Sequence, residues 1–178
     1  QIARDVYQML DAETAQVGGC YGIKYVQAPH SLTGHGAFGR AVGALPSGRR
    51  AWVSLADGNA SPSQGMDKKG ITAVLKSAGK LDQLPMQGCL LNQKLHPSTL
   101  KTKDDLKKFM ALVKTYLIDF AGKHIQFNIV DKNTLVEAQA KPEMHRNLLV
   151  RVAGYSAFFT ELAPRLQDEI IARTEHTI

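Results

Sequence analysis

An α/β fold is predicted by the second half of the chain, where amphipathic helical spacing alternates with short strand patterns from Thr102 onward. The helices there open on residues suited to cap them, Thr102 and Asp131, or on a helix-starting proline, Pro164. The first half differs. It carries glycine and proline too often for a long regular element, as a chain does where irregular backbone packs on a scaffold or builds a site.

In order, residues 2–16 read as an amphipathic helix with Ile2, Val6, Met9 and Leu10 on one face, ending at Gly18-Gly19. Residues 18–70 are punctuated from Gly34 to Gly70 by glycines and by Pro46 and Pro62. Ile71–Ser77 reads as a short strand or a helix start, and Leu90–Leu95 as a strand halted by Pro97. Thr102 caps a helix with Asp104 and Asp105 in its first turn, where the dipole favours acid. Leu106, Phe109, Met110, Val113, Tyr116, Leu117 and Phe120 follow at helical spacing, and Gly122 is expected to end the helix in a left-handed cap. Ile125, Phe127 and Ile129 alternate with Gln126 and Asn128, a strand signature. Asp131 caps a helix over 132–140, and Pro142 opens a short one. Leu148–Val152 is apolar and extended until Gly154 breaks it. A last helix from Pro164 turns Leu166, Ile170 and Ile171 inward.

Composition narrows the function classes. With 178 residues, 44% hydrophobic and 21% charged, the chain is not a disordered tail, a collagen-like repeat or a disulfide scaffold. No apolar run reaches the roughly 18 residues of a membrane span. A net charge of +6 admits a nucleic-acid or anion partner. The basic runs, Lys68-Lys69 and Lys101 to Lys108, have no aromatic residues interleaved for base stacking, so a basic binding module rests on charge alone. Six scattered histidines include no pair at i,i+4, so no metal-ligand set is expected. Gly34–Gly39 matches G-x-G-x-x-G, but Ala28-Pro29-His30 precedes it and Gly43, Pro46 and Gly48 follow, so the flanking strand and helix of a dinucleotide site are missing. Cys20, between Gly19 and Tyr21, reads as accessible, and Cys89 as a small buried hydrophobe. The first residues, QIARDVYQML, begin without Met inside a helical pattern and carry no signal segment. They read as part of a longer, cytoplasmic protein.

Arg151-Val152-Ala153-Gly154-Tyr155-Ser156-Ala157-Phe158-Phe159 is an apolar strand interrupted by one glycine. Together with LQDEIIARTEH near the end, it resembles the glycyl radical enzymes. GALPSGRRAWVSLADGNASPSQGMDKKG, AVLKSAGKLD, LLNQKLHPS and HIQFNIVDKNTL extend the resemblance from about Ala28 to His176. It implies that the chain is the C-terminal part of a ten-stranded α/β barrel, with residues 1–121 ending the barrel and 122–178 forming a glycyl radical domain. Gly154 would store the radical. A backbone radical is stabilised when Cα flattens between an electron-donating amide nitrogen and an electron-withdrawing carbonyl, and a side chain clashes with that flattening. No bound cofactor is implied. A separate activating enzyme, using S-adenosylmethionine and an iron–sulfur cluster, removes a hydrogen from the glycine. The glycyl radical then takes a hydrogen from a Cys, and the thiyl radical attacks a small organic substrate.

In this family the thiyl Cys lies in its own upstream loop beside a carboxylate. Cys20 is followed by Tyr21-Gly22, and Cys89 opens an apolar run, so the resemblance places that Cys outside these 178 residues. The partners implied are the activating enzyme, the remainder of the enzyme with its Cys, and further copies in a homo-oligomer; no nucleic acid or membrane is expected. Ala153 and Ala172-Arg173-Thr174-Glu175-His176 point away from formate acetyltransferases. They point towards the branch of dehydratases, choline trimethylamine-lyase and arylacetate decarboxylases, with fumarate-adding hydrocarbon synthases or a small docking subunit as alternatives. Arg151, Val152, Ala153 and Tyr155 are expected to support the loop, Tyr155 by packing it and Arg151 by fixing it or by meeting the activating enzyme. Leu32, Gly34 and Gly36 are expected on a barrel-lining strand that leaves room for a bulky substrate. Gln126 and Asn128 are expected to face the interior and order substrate or the glycine loop.

Overall fold

The computed structural model describes residues 1–29, 34–46 and 48–178, and of Cys20 only the backbone. Helices α1 (Ile2–Gln16), α2 (Gly34–Ala41) and α3 (Ile71–Ala78) precede strand β1 (Asn92–Leu95). Then follow α4 (Lys103–Lys114), β2 (Gln126–Ile129), α5 (Lys132–Ala140), β3 (Leu149–Arg151), β4 (Ser156–Phe158), α6 (Pro164–Ala172) and β5 (Glu175–His176). β1 lies at the centre of a parallel sheet of order β2-β1-β5, and β3 and β4 form an antiparallel hairpin.

The two predicted N-caps are present. The Thr102 hydroxyl accepts from Asp105 N while the Asp105 carboxylate accepts from Thr102 N, a reciprocal capping box. Asp131 Oδ1 accepts from Thr134 N at 2.9 Å and starts α5. Of the two readings of Ile71–Ser77 the helix holds: Ile71–Ala78 is helical, with Ile71, Val74, Leu75 and Ala78 buried on one face. Two local expectations are corrected. The helix after Thr102 ends in a π-helical turn, Thr115–Asp119, and the left-handed residue beyond it is Ala121 (φ 52°) rather than Gly122. Gly122 serves a close approach instead: a Cβ there would lie 2.5 Å from the Tyr116 ring. Finally, Gly34 and Gly36 lie in helix α2, not on a strand. Glycine costs a helix roughly 1 kcal/mol each against alanine, which is why the pattern did not read as one. Packing answers that cost, because Gly39 sits where a Cβ would be 2.3 Å from the Val53 carbonyl oxygen. The third expected lining residue, Leu32, is outside the described residues.

Among the described residues two apolar clusters result. One joins Ile71, Leu75, Leu91, Leu95 and Tyr116 between α3, β1 and the end of α4. Phe109 packs on it and meets Phe127 edge-on at 4.9 Å. The other joins Leu135, Val150, Val152, Phe159 and Ile170, so the hairpin is seated through alternate residues of β3 and its continuation. Among the described residues no helix is long and apolar enough to cross a membrane.

Candidate radical site

The parallel register sets Asn92 beside Gln126 and Lys94 beside Asn128. Because side chains alternate along a strand, these four share one face, and that face is polar. The β3–β4 hairpin lies against it. Asn128 acts as a strand would: its Nδ2 donates to Arg151 O at 2.7 Å and its Oδ1 accepts from Arg151 N at 2.6 Å. Gln126 Nε2 donates to Ala153 O and to Asn92 Oδ1. Gln126 Oε1 accepts from Arg151 Nε at 2.6 Å. Of the candidate residues, Gln126, Asn128, Arg151, Val152, Ala153 and Gly154 are therefore brought together.

The hairpin turns through Ala153-Gly154, closed by Val152 N donating to Tyr155 O at 2.9 Å. Gly154 is exposed at the tip. Its φ is not in the left-handed region, and a Cβ added there would meet nothing within 4 Å. Arg151 Nη2 donates to Gly154 O at 3.3 Å and Nη1 to Ser156 Oγ at 3.2 Å. Tyr155 is 43% exposed, and its carbonyl closes the turn.

Arg173 completes the arrangement, and sequence reasoning gave it no role of its own. Its Nη1 donates to Arg151 O at 3.2 Å and its Nη2 to Val152 O at 2.6 Å. Every carbonyl from residue 151 to 154 thus accepts from a side chain. Arg173 is itself fixed by two carboxylates: Nε lies 3.0 Å from Asp57 Oδ2, and Nη2 lies 2.9 Å from Glu169 Oε2. Gln64 Nε2 also donates to Glu169, at 2.8 Å, and His35 Nε2 of α2 stands 3.6 Å from it. Burial pushes the Glu169 carboxyl up, but His35 beside it and the hydrogen bonds and charge of Arg173 outweigh burial and bring it down to about 2. For Asp57 burial prevails over Arg173, and its pKa is raised. A signal existed: Glu169 and Arg173 are spaced i,i+4 in the same stripe as Leu166 and Ile170, so an inward-facing ion pair was readable.

Of the cysteines, Cys89 is buried, and burial raises its thiol pKa despite a hydrogen bond from Asn59 Nδ2 at 3.6 Å. The side chain of Cys20 lies outside the described set.

Residues 56–160, which include the hairpin, match the family model described as "Glycine radical". The chain belongs to the glycine radical family. It is 48% identical over 161 residues to the probable dehydratase YbiW of Escherichia coli, covering 90% of this chain and 20% of that protein. It is 42% identical over 171 residues to the indoleacetate decarboxylase of Tractidigestivibacter scatoligenes, covering 96% and 19%. The glycerol-bound B12-independent glycerol dehydratase of Clostridium butyricum superposes with a TM-score of 0.90 at 41% identity, covering 99% of this chain and 22% of that one. The chain thus spans about a fifth of the length of these glycine radical relatives.

Proposed function

We propose that this chain is the C-terminal, radical-bearing part of a glycyl radical lyase of the dehydratase, C–N lyase or arylacetate decarboxylase type, with Gly154 as the radical store. The observation that carries this reading is a glycine that neither space nor backbone angle demands, at a turn whose carbonyls are all held by side chains. A relative named as a dehydratase, another as a decarboxylase and a glycerol dehydratase structure support the lyase class.

In this reading a partner activating enzyme of the S-adenosylmethionine and iron–sulfur type takes one hydrogen atom from Gly154 Cα. At each turnover a hydrogen atom passes from a Cys thiol outside this chain to Gly154. The S–H bond breaks, the Cα–H bond forms, and the unpaired electron moves to sulfur. After the substrate radical has rearranged and regained its hydrogen, the transfer reverses. Arg151, Gln126, Asn128 and Arg173 fix the loop so that Cα returns to one position on each cycle. Residues 122–178 form the radical domain, in keeping with a second apolar cluster whose buried members all lie between Val130 and Ile170.

The test is anaerobic activation of the protein as its cell makes it, followed by electron spin resonance. A doublet from one α-hydrogen is expected, and exposure to air should then cut the chain at Gly154 and release a short C-terminal peptide. A radical that leaves the chain intact in air, or that persists in Gly154→Ala, would overturn the assignment.

A further inference from the structure

The two carbonyls that flank the Gly154 Cα receive different donors. Gly154 O accepts from a cationic guanidinium, Arg151 Nη2 at 3.3 Å. Ala153 O accepts from a neutral amide, Gln126 Nε2. The donors are themselves joined, Arg151 Nε to Gln126 Oε1 at 2.6 Å, so they act as one unit. Gln126 is anchored in turn to Asn92 of the neighbouring strand. The guanidinium brings a full charge over the longer contact and the amide a neutral dipole over the shorter one, so the pull on the two sides of Cα differs in kind.

That difference has an electronic consequence. An unpaired electron on Cα spreads into the Gly154 carbonyl, which withdraws, and onto the Gly154 nitrogen, which donates. A positive donor on Gly154 O lowers the carbonyl acceptor orbital and draws spin onto it. A donor on Ala153 O pulls the nitrogen lone pair towards Ala153 and weakens donation. The two bonds also hold both peptide planes, which must be coplanar with a flattened Cα for either effect to operate.

We infer that the Arg151–Gln126 pair tunes the radical from opposite sides: Arg151 draws spin from Gly154 Cα towards the Gly154 carbonyl, while Gln126 holds back donation from the Gly154 nitrogen and so keeps spin on Cα. The inference rests on Gly154 being the radical site, as proposed above. Arg151 and Gln126 are positioning residues here: they exchange no atom with Gly154 and act through its two amide groups.

The test uses the activated enzyme and needs a radical in the wild type; absence of one would fail the assignment of Gly154, not this inference. The α-hydrogen doublet splitting reports spin on Cα. Arg151→Gln, which removes the charge, should widen it. Gln126→Met, which removes the donor to Ala153 O, should narrow it. Arg151→Lys, which keeps the charge, should lie nearer the wild type than Arg151→Gln. Unchanged splittings, or shifts in the same direction for Arg151→Gln and Gln126→Met, would overturn the inference, because simple loosening of the loop predicts no opposition of sign. A measurement without substitution guards against variants that fail to fold. Electron–nuclear double resonance on wild-type enzyme carrying 15N-labelled arginine should detect a coupled arginine nitrogen. Finding none would overturn the inference as well.

Discussion

Gly122 and Gly154 are both conspicuous in the sequence, and the structure gives them opposite reasons. A Cβ on Gly122 would be driven into the Tyr116 ring at 2.5 Å, whereas one on Gly154 would meet nothing within 4 Å. The region around Gly122 is decided by volume. Tyr116 is fully buried in the first apolar cluster, and burial pushes its hydroxyl up to about 12 although Gln83 shares a hydrogen bond with it. The region around Gly154 is decided by direction: amide and guanidinium groups aim at four successive carbonyls. A glycine required by packing serves the fold. A glycine that packing leaves free invites a chemical explanation.

The comparison is sharpened most by Gly154→Ala. It should abolish the spin signal and the oxygen-dependent cleavage while thermal unfolding stays within about 1 kcal/mol of wild type, because an alanine is sterically admitted and restricts the unfolded chain. A large loss of stability would show that Gly154 is a packing glycine after all. Next comes Arg173→Ala, which strips the carbonyls of Arg151 and Val152 of a donor and leaves Asp57 and Glu169 buried without their cation. Removing one partner of a buried ion pair costs about 3–5 kcal/mol, and denaturant titration should show a loss of that size.

Glu169 carries a pH signature. Its native pKa of about 2 lies below the ordinary 4.5, so its contribution is fully present above pH 4.5 and is lost as pH falls towards 2. By linkage this is on the order of 3 kcal/mol. Asp57, whose pKa is raised, works in the opposite sense, its penalty easing on acidification. The difference between wild type and Glu169→Gln isolates the Glu169 part: the variant should lose less stability between pH 5 and pH 3. Parallel stability curves would show that Glu169 does not titrate in this way.

Gly122→Ala tests the other side. Overpacking of this kind costs about 1–3 kcal/mol, read as a lowered unfolding midpoint, with the spin signal per folded molecule unchanged. An altered signal would tie the two regions together and blur their contrast.

How far the sequence foretold all this depends on the range of each interaction. Thr102 and Asp131 act on backbone groups three residues away, so their caps were legible. The alternation of Gln126 and Asn128 with apolar neighbours gave the strand and its polar face, and the RVAGYSAFF segment gave the loop. What stayed hidden required contacts distant in sequence. The α2 helix, weakened locally by its glycines, packs against the chain around Val53, and Arg173 meets Asp57 from the far end of the chain. Gly122 showed the limit differently, because the residue type was conspicuous while its cause, the Tyr116 ring, appears only in three dimensions.

The smallest expected effect concerns Cys89. It is 6% exposed, burial raises its thiol pKa, and Asn59 donates to its sulfur. It lies in the part of the molecule decided by volume, and Cys89→Ala should cost about 1 kcal/mol while leaving turnover and the spin signal intact. Loss of turnover with the signal preserved would place the thiyl step on this chain and make Cys89 its site. The cysteine partner of Gly154 would then have to be sought in the packed region, and the division between glycines for packing and glycines for chemistry would no longer separate the two halves of the reaction.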